Sequence, residues 1–329
     1  MEPRRNRSLT MPAGRVLGVI VIALGFAALF NSEAIVRAGE GMEPGFTRDA
    51  VLSLGRPLDD AAGAVGLHLP REGLDLAFGQ EDRTASGTVL EEGSTAILRR
   101  GRREAATKLS FRQPTPADPL EVLVTGDSEA EFLGQRLTDQ SPPGLLRVET
   151  VARNATGLTN PDFFNWELNA RQEVEARDPD AVVMAIGGND GFNVEAGGVL
   201  YGPQDPEWQT EFARRVAVVS SVLSGRGERP VYWVPPATAR DPDFDEIYAA
   251  QNRAVEQAEP AVPGLRYVDI YTTLGNGRYS DSLRIDGRRV LARQPDGVHF
   301  TRDGAVAPAR LILREMAKDF PVLAPEGGG

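Results

Sequence analysis

The sequence predicts an α/β protein in which a five-stranded parallel sheet is covered by helices on both faces. From residue 120 onwards, short and continuously apolar runs alternate with longer amphipathic stretches. Strands that are apolar throughout are typical of parallel sheets buried on both faces, and right-handed strand–helix–strand connections place the helices there. We therefore expect a three-layer α/β/α sandwich, with its functional site in loops at the carboxyl ends of the strands.

Five strands and five helices are predicted in this part of the chain. The strands are predicted at 121–125, 146–151, 181–186, 230–234 and 265–270. The helices are predicted at 129–139, 162–177, 206–223, 243–259 and 302–319. Residues 283–291 alternate around Asp286-Gly287, a pair typical of a tight hairpin turn. Arginines on or just after this hairpin either shape an acceptor pocket or only face solvent: Arg284, Arg288 and Arg293.

The amino terminus carries a membrane-targeting pattern. Four arginines and one glutamate precede an uncharged apolar run at 16–30. Because positive residues stay in the cytoplasm, the chain after this run is predicted to be extracytoplasmic. The run is short for a spanning helix and lies at the top of the length range for a signal peptide. An uncleaved anchor is favoured, and a cleaved signal peptide, with Ser32 and Ala34 beside the cleavage site, is the alternative.

These patterns predict five segments. A cytoplasmic tail with a signal-anchor or signal peptide occupies 1–36, and a membrane-proximal helical segment occupies 37–79. A linker rich in small and charged residues covers 80–119. The catalytic domain is predicted at 120–320 and a flexible tail at 321–329.

Composition excludes several classes of function. The chain has no cysteine, which excludes disulfides, thiol nucleophiles and cysteine-ligated metals. It has 36 Lys and Arg against 47 Asp and Glu, and the net charge of −11 argues against nucleic acid as a partner. It also lacks the His and Asp clusters of a dinuclear metal site, so no metal or cofactor is expected. The chain has two histidines, so an imidazole base must be either His68 or His299. His68 lies in the predicted helical segment and is assigned no role.

Polar residues follow several of the predicted strands. The first strand runs into Gly126-Asp127-Ser128-Glu129, which places Ser128 on the turn after that strand. A serine nucleophile needs a nearby base and donors for the oxyanion that it creates; taken alone, a serine here is more often a helix N-cap. Three further blocks lie on other loops at the same edge: Asn154-Ala155-Thr156-Gly157, Gly187-Gly188-Asn189-Asp190 and Asp296-Gly297-Val298-His299.

Over residues 121–320 these four blocks, in this order, resemble those of the SGNH/GDSL hydrolase superfamily. The resemblance implies a flavodoxin-like sandwich with Ser128 as nucleophile and His299 as general base. It assigns Asp296 to orienting and stabilising the imidazole. It further implies an oxyanion hole made of the backbone N–H groups of Ser128 and Gly157 and the side-chain amide of Asn189.

Two features depart from well-known relatives. Glu129 stands where the common lipase-like members have an apolar residue, and Ala130 breaks the Gly-x-Ser-x-Gly elbow of α/β-hydrolases. Asp127 and Asp190 are expected to hold the turn and the loop rather than to transfer protons. Three aromatic residues could either stack on a sugar ring or only pack in the core: Tyr201, Trp208 and Tyr248.

The sequence therefore predicts an extracytoplasmic serine esterase or O-acyltransferase that acts through an acyl-serine intermediate. Location and resemblance suggest acyl esters of cell-envelope glycans or glycolipids as substrates. The expected partners are an acylated glycan or small ester and, through the amino-terminal helix, the membrane. The alternative is a non-catalytic glycan-binding or scaffold module; the intact set of Ser128, Asn189, Asp296 and His299 argues against it.

Overall fold

The computed structural model describes residues 29, 32, 35, 36, 50–58, 109–196 and 198–324. The chain forms two compact units, Met1–Ala85 and Ser86–Gly329. In the first unit, residues 50–58 form a helix in which Leu52 is buried. The predicted anchor at 16–30 lies outside the described residues except for Leu29, as does His68. No helix within the described ranges is long and apolar enough to cross a membrane.

The second unit alternates strands and helices as predicted. Its strands are β1 (Leu120–Gly126), β2 (Leu146–Ala152), β3 (Ala181–Ala185), β4 (Val194–Ala196), β5 (Val199–Tyr201), β6 (Val231–Val234), β7 (Leu265–Tyr267), β8 (Ser282–Ile285) and β9 (Arg288–Leu291). Its α-helices are α1 (Leu133–Gln140), α2 (Trp166–Arg177), α3 (Pro206–Leu223), α4 (Pro242–Ala258) and α5 (Val306–Asp319). Short 3₁₀ turns include Ser128–Ala130 and Pro321–Leu323.

The central sheet has the strand order β2-β1-β3-β6-β7, and every neighbouring pair is parallel. The predicted five-stranded parallel sheet is therefore confirmed. Gly126, the last residue of β1, lies opposite Ala152 of β2 and Ala185 of β3. Because these three strands end at one level, the loops that follow them begin side by side at one edge of the sheet.

Helices cover both faces of the sheet, as the apolar strands predict. Along β1, Val122 and Val124 point into one core and Leu123 into the other, because successive side chains of a strand face opposite sides. Helices α1 and α5 pack on the first face, with Leu137 and Met316 buried. Helices α2, α3 and α4 pack on the second face. Their buried residues include Trp166, Trp208, Phe212 and Val255.

The structure corrects some predicted boundaries. Helix α1 begins at Leu133 rather than at 129, because Ser128–Ala130 forms a separate 3₁₀ turn. Helix α5 begins at Val306 rather than at 302, after a turn in which the Gly304 N–H donates to Thr301 Oγ1. Strand β7 ends at Tyr267 rather than at 270.

One hairpin was predicted and another was missed. Strands β8 and β9 pair around Asp286 and Gly287, which both have positive φ, at 50° and 74°, as a tight turn of this type requires. The antiparallel pair β4 and β5 was not predicted, because strands of only three residues leave too short a pattern to recognise. It follows directly after the Gly187-Gly188-Asn189-Asp190 loop.

Candidate active site

Three predicted site residues form one chain of hydrogen bonds. Ser128 Oγ lies 2.7 Å from His299 Nε2, and His299 Nδ1 lies 2.8 Å from Asp296 Oδ2. Ser128 leaves the carboxyl end of β1, whereas the other two residues lie in the loop before α5. The predicted triad residues therefore meet, although the serine and the histidine are 171 positions apart in the chain.

A buried aspartate ties the serine turn to the neighbouring loop. Asp127 Oδ1 accepts the backbone N–H of Glu129 at 2.9 Å. Its Oδ2 accepts the N–H groups of Gly187 and Gly188 at 3.0 and 2.9 Å. Gly126 permits this close packing, because a Cβ there would stand 1.7 Å from the carbonyl oxygen of Ala185. Asp127 thus has the holding role expected of it.

The predicted oxyanion donors come from three neighbouring loops. Within the described chain, the backbone N–H groups of Ser128 and Gly157 donate to no other residue. The amide nitrogen of Asn189 lies 3.2 Å from the Thr156 carbonyl oxygen, on the turn that carries Gly157. Two free N–H groups and an adjacent side-chain amide are the kind of donor set that stabilises an oxyanion.

Gly157 is held against a second buried aspartate. Asp190 Oδ1 accepts the N–H and the hydroxyl of Thr159 at 2.7 and 2.9 Å, so it fixes the loop after Gly157. A Cβ on Gly157 would stand 2.5 Å from the same oxygen. A larger residue at this position would therefore have to displace the Asp190 carboxylate, which holds the loop as expected.

The histidine loop is fixed by its own backbone and by a buried arginine. Asp296 Oδ1 accepts the N–H groups of Val298 and His299 at 2.8 and 3.1 Å. Arg293 donates to the carbonyl oxygen of Val298 at 2.5 Å, and its guanidinium lies 3.9 Å from the centroid of the Phe300 ring. These contacts orient the imidazole towards the serine.

The charges around the imidazole favour its protonated form. Burial acts to lower the pKa of His299, but the charges of Glu129 and Asp296 outweigh burial and raise it above its usual value. Burial likewise opposes ionisation of Asp296, and the N–H groups of Val298 and His299 outweigh it and lower the pKa of that carboxyl. The site can therefore stabilise an imidazolium that forms during reaction.

Burial raises the pKa of two further carboxyl groups beside the serine. Burial raises the pKa of Asp127 to about 7, and the charge of Glu129 adds to this increase. Burial also raises the pKa of Glu129, although His299 and Arg293 oppose that change.

Other residues singled out in the sequence lie elsewhere or pack in the core. Trp208 is fully buried, stacks on Phe212 at 4.8 Å and donates to the Phe192 carbonyl oxygen, and Tyr248 is 2% exposed. Tyr201 packs against the same core as Trp208. For these three aromatic residues, packing explains the contacts without a sugar.

The hairpin arginines also separate into two groups. Arg284 and Arg288 are exposed on the hairpin, as the solvent-facing alternative predicts. Arg293 is only 5% exposed and supports the histidine loop, a role that was not predicted. The sequence indicates this role only through the place of Arg293 in the chain, between the hairpin and His299.

No group of three or more His, Asp or Glu residues in the described chain is arranged to hold a metal ion.

Several solved structures are similar to this chain. The catalytic domain of a peptidoglycan O-acetyltransferase from Streptococcus pneumoniae is 13% identical, covering 61% of this chain and 94% of its own length with a TM-score of 0.39. A family 3 carbohydrate esterase from Clostridium thermocellum is 16% identical, covering 63% and 99%, with a TM-score of 0.41. A catalytic mutant of an acetylxylan esterase from Geobacillus stearothermophilus is 16% identical, covering 64% and 96%, with a TM-score of 0.38. At these values the likeness carries no inference about substrate. No curated protein matches the chain.

The four sequence blocks meet at one edge of a five-stranded parallel sheet, and the resemblance to the SGNH/GDSL hydrolase superfamily is confirmed. Its envelope-anchored branch stays a prediction. The family model described as protein of unknown function (DUF459) matches residues 121–315. Because that match spans more than half of the chain, the chain belongs to the DUF459 family.

Proposed function

We propose that this chain is a serine esterase or O-acyltransferase that works through an acyl-serine intermediate. The observation that carries the proposal is the unbroken hydrogen-bond chain from Ser128 through His299 to Asp296. A serine hydroxyl becomes a useful nucleophile when a base accepts its proton and a third group orients that base. Each of these roles has a residue here.

The first half of the reaction acylates the serine. Nδ1–H of a neutral His299 donates to Asp296, so Nε2 accepts the proton of Ser128 while Oγ bonds to the acyl carbon. The negative charge on the former carbonyl oxygen is stabilised by the donors around Gly157 and Asn189. The imidazolium then gives its proton to the alcohol oxygen of the substrate as the carbon–oxygen bond breaks.

The second half releases the acyl group. Water or a second hydroxyl gives its proton to His299 and bonds to the acyl carbon, and the proton returns to Ser128 Oγ as the acyl–serine bond breaks. Attack by water yields a free acid, whereas attack by a sugar hydroxyl yields a new ester. Both outcomes use the same residues and the same intermediate.

We propose acyl esters of cell-envelope glycans or glycolipids as the substrates, with the catalytic domain outside the cytoplasm. The arginine-rich start of the chain and the apolar run at 16–30 support this location. Membrane fractionation with amino-terminal sequencing tests the location and the anchor. Mass spectrometry of envelope glycans from a deletion strain tests the substrate, because loss of the enzyme should change the number of acyl groups on them.

The chemistry is tested on the full-length chain with p-nitrophenyl acetate and a fluorophosphonate probe. Turnover and labelling should both disappear in Ser128→Ala and His299→Ala. His68→Ala is the matched control, since it removes the only other histidine, and it should retain both activities. If the wild-type chain and the Ser128→Ala variant behave alike between about pH 6 and 9, the enzyme proposal is wrong and the binding-module alternative is favoured.

A further inference from the structure

Glu129 places a carboxylate in the site beside the nucleophile. Glu129 directly follows the nucleophile Ser128 in the chain and is half-buried. Its Oε1 atom is buried and has no hydrogen-bond partner within the described chain. The same atom lies 3.8 Å from the point where a Cβ on Gly188 would stand. The carboxylate therefore lies between the serine turn and the loop that carries Asn189.

Two neighbouring carboxylates receive several hydrogen bonds from the fold, whereas Oε1 of Glu129 receives none from the described residues. Asp127 and Asp296 each accept several N–H groups from their own loops. Arg293, a nearby cation, donates instead to the carbonyl oxygens of Val298 and Thr238. Burying an unpaired carboxylate costs free energy. Because no hydrogen bond from the described residues offsets that cost at Oε1, a donor in the bound substrate would explain the residue.

The surrounding charges indicate what kind of donor fits. Arg293 and the imidazole of His299 interact favourably with the Glu129 carboxylate. The carboxylate of Asp296 interacts unfavourably with it. A cationic ligand would meet the positive charge of Arg293, and also that of the imidazolium as it forms during reaction. A neutral hydroxyl donates to a carboxylate without this repulsion. The donor expected is therefore a hydroxyl group rather than an ammonium group.

We propose that Glu129 is a substrate-binding residue whose carboxylate accepts a hydrogen bond from a hydroxyl beside the scissile ester. The substrate class is then an acyl ester of a polyol or sugar with free hydroxyl groups, in preference to a plain alkyl or aryl ester. This inference rests on the proposed function, because it presupposes that an ester reacts at Ser128. It adds a selectivity that the triad alone does not supply.

Two acetate esters of the same shape test the proposal. One is a methyl glucoside acetylated on its primary hydroxyl, and the other is cyclohexylmethyl acetate, which has the ring and the ester but no hydroxyl groups. The wild-type chain should prefer the glucoside in kcat/KM. Glu129→Gln keeps an oxygen acceptor but loses its charge, so it should lower that preference by about 5- to 10-fold, the difference between a hydrogen bond to a charged and to a neutral group. Any effect of the lost charge on His299 enters both rates and cancels in their ratio.

The matched control is Glu131→Gln, which removes an exposed carboxylate two residues further along and should leave the ratio unchanged. If Glu129→Gln lowers both rates equally, Glu129 acts through His299 and the inference is overturned. Fluorophosphonate labelling of wild-type Ser128 would show in that case that the proposed function still holds; its absence would overturn the function itself. If Glu129→Gln fails to fold, the test is the ratio of the wild-type kcat/KM values for the two esters. Equal kcat/KM values for both esters would overturn the inference.

Discussion

Asp296→Asn should abolish most of the activity while leaving the fold intact. Asp296 uses Oδ1 for the backbone N–H groups of Val298 and His299 and Oδ2 for His299 Nδ1. The single amide oxygen of an asparagine can keep both backbone contacts, so the loop should keep its conformation. The amide NH₂ would then face Nδ1 and favour the tautomer with the proton on Nε2. That nitrogen would donate to Ser128 instead of accepting its proton.

The magnitude follows from this change of tautomer. A triad whose histidine is held in the wrong tautomer loses about 10⁴ in kcat, which corresponds to about 5.5 kcal/mol of transition-state stabilisation. The stability change should be much smaller. The side chains of Asp296 and His299 are 44% and 30% exposed, and a solvent-screened pair of this kind contributes about 1 kcal/mol or less to folding.

The assay is p-nitrophenyl acetate turnover together with the Tm of wild type and variant. Asp303→Asn is the matched control, because Asp303 is exposed and lies a few residues after His299, and it should retain wild-type kcat. A fall in kcat of less than about tenfold at an unchanged Tm would contradict this role of Asp296. A large fall in Tm would show instead that Asp296 serves mainly to hold the loop.

Three further predictions concern pH, the oxyanion loop and the core. Burial lowers the pKa of His299 but Glu129 and Asp296 raise it more, and a protonated imidazole cannot accept a proton. Therefore kcat/KM should fall as pH drops, with a midpoint above the usual histidine pKa of about 6.5; a midpoint below that value in a pH–rate profile would contradict this. Gly157→Ala should lower kcat by about 10²–10³ through displacement of an oxyanion donor, since its Cβ would stand 2.5 Å from an Asp190 oxygen; steady-state kinetics showing wild-type kcat would disprove it. Phe212→Ala should reduce the free energy of unfolding by about 3–5 kcal/mol, because the ring is 1% exposed and fully packed; chemical denaturation giving less than about 1 kcal/mol would argue against it.

Much of the fold follows from local patterns in the chain. A buried parallel strand such as β3 must be apolar on both faces, which makes it visible as a continuous run. Helix α3 has a proline at its first position and an amphipathic pattern throughout, and both of its ends were predicted correctly. The hairpin β4–β5 was missed because three-residue strands carry too few residues for a periodic pattern.

The site shows the same division between local and long-range information. His299 could be predicted because the chain has only two histidines and this one follows an aspartate by three residues. The unpartnered state of Glu129 could not be predicted, since it depends on where Gly188 and Arg293 lie after the chain has folded. The supporting role of Arg293 likewise depends on contacts with carbonyl oxygens of two different loops.

A rapid-quench experiment measures directly whether an acyl group is carried on Ser128. Full-length protein is mixed with p-nitrophenyl acetate, quenched in acid during the first turnover, digested and examined by mass spectrometry. An acetyl group is expected on the peptide that contains Ser128, and none is expected on that peptide in Ser128→Ala. Turnover of the ester with acetyl on a different residue, or on none, would contradict this expectation.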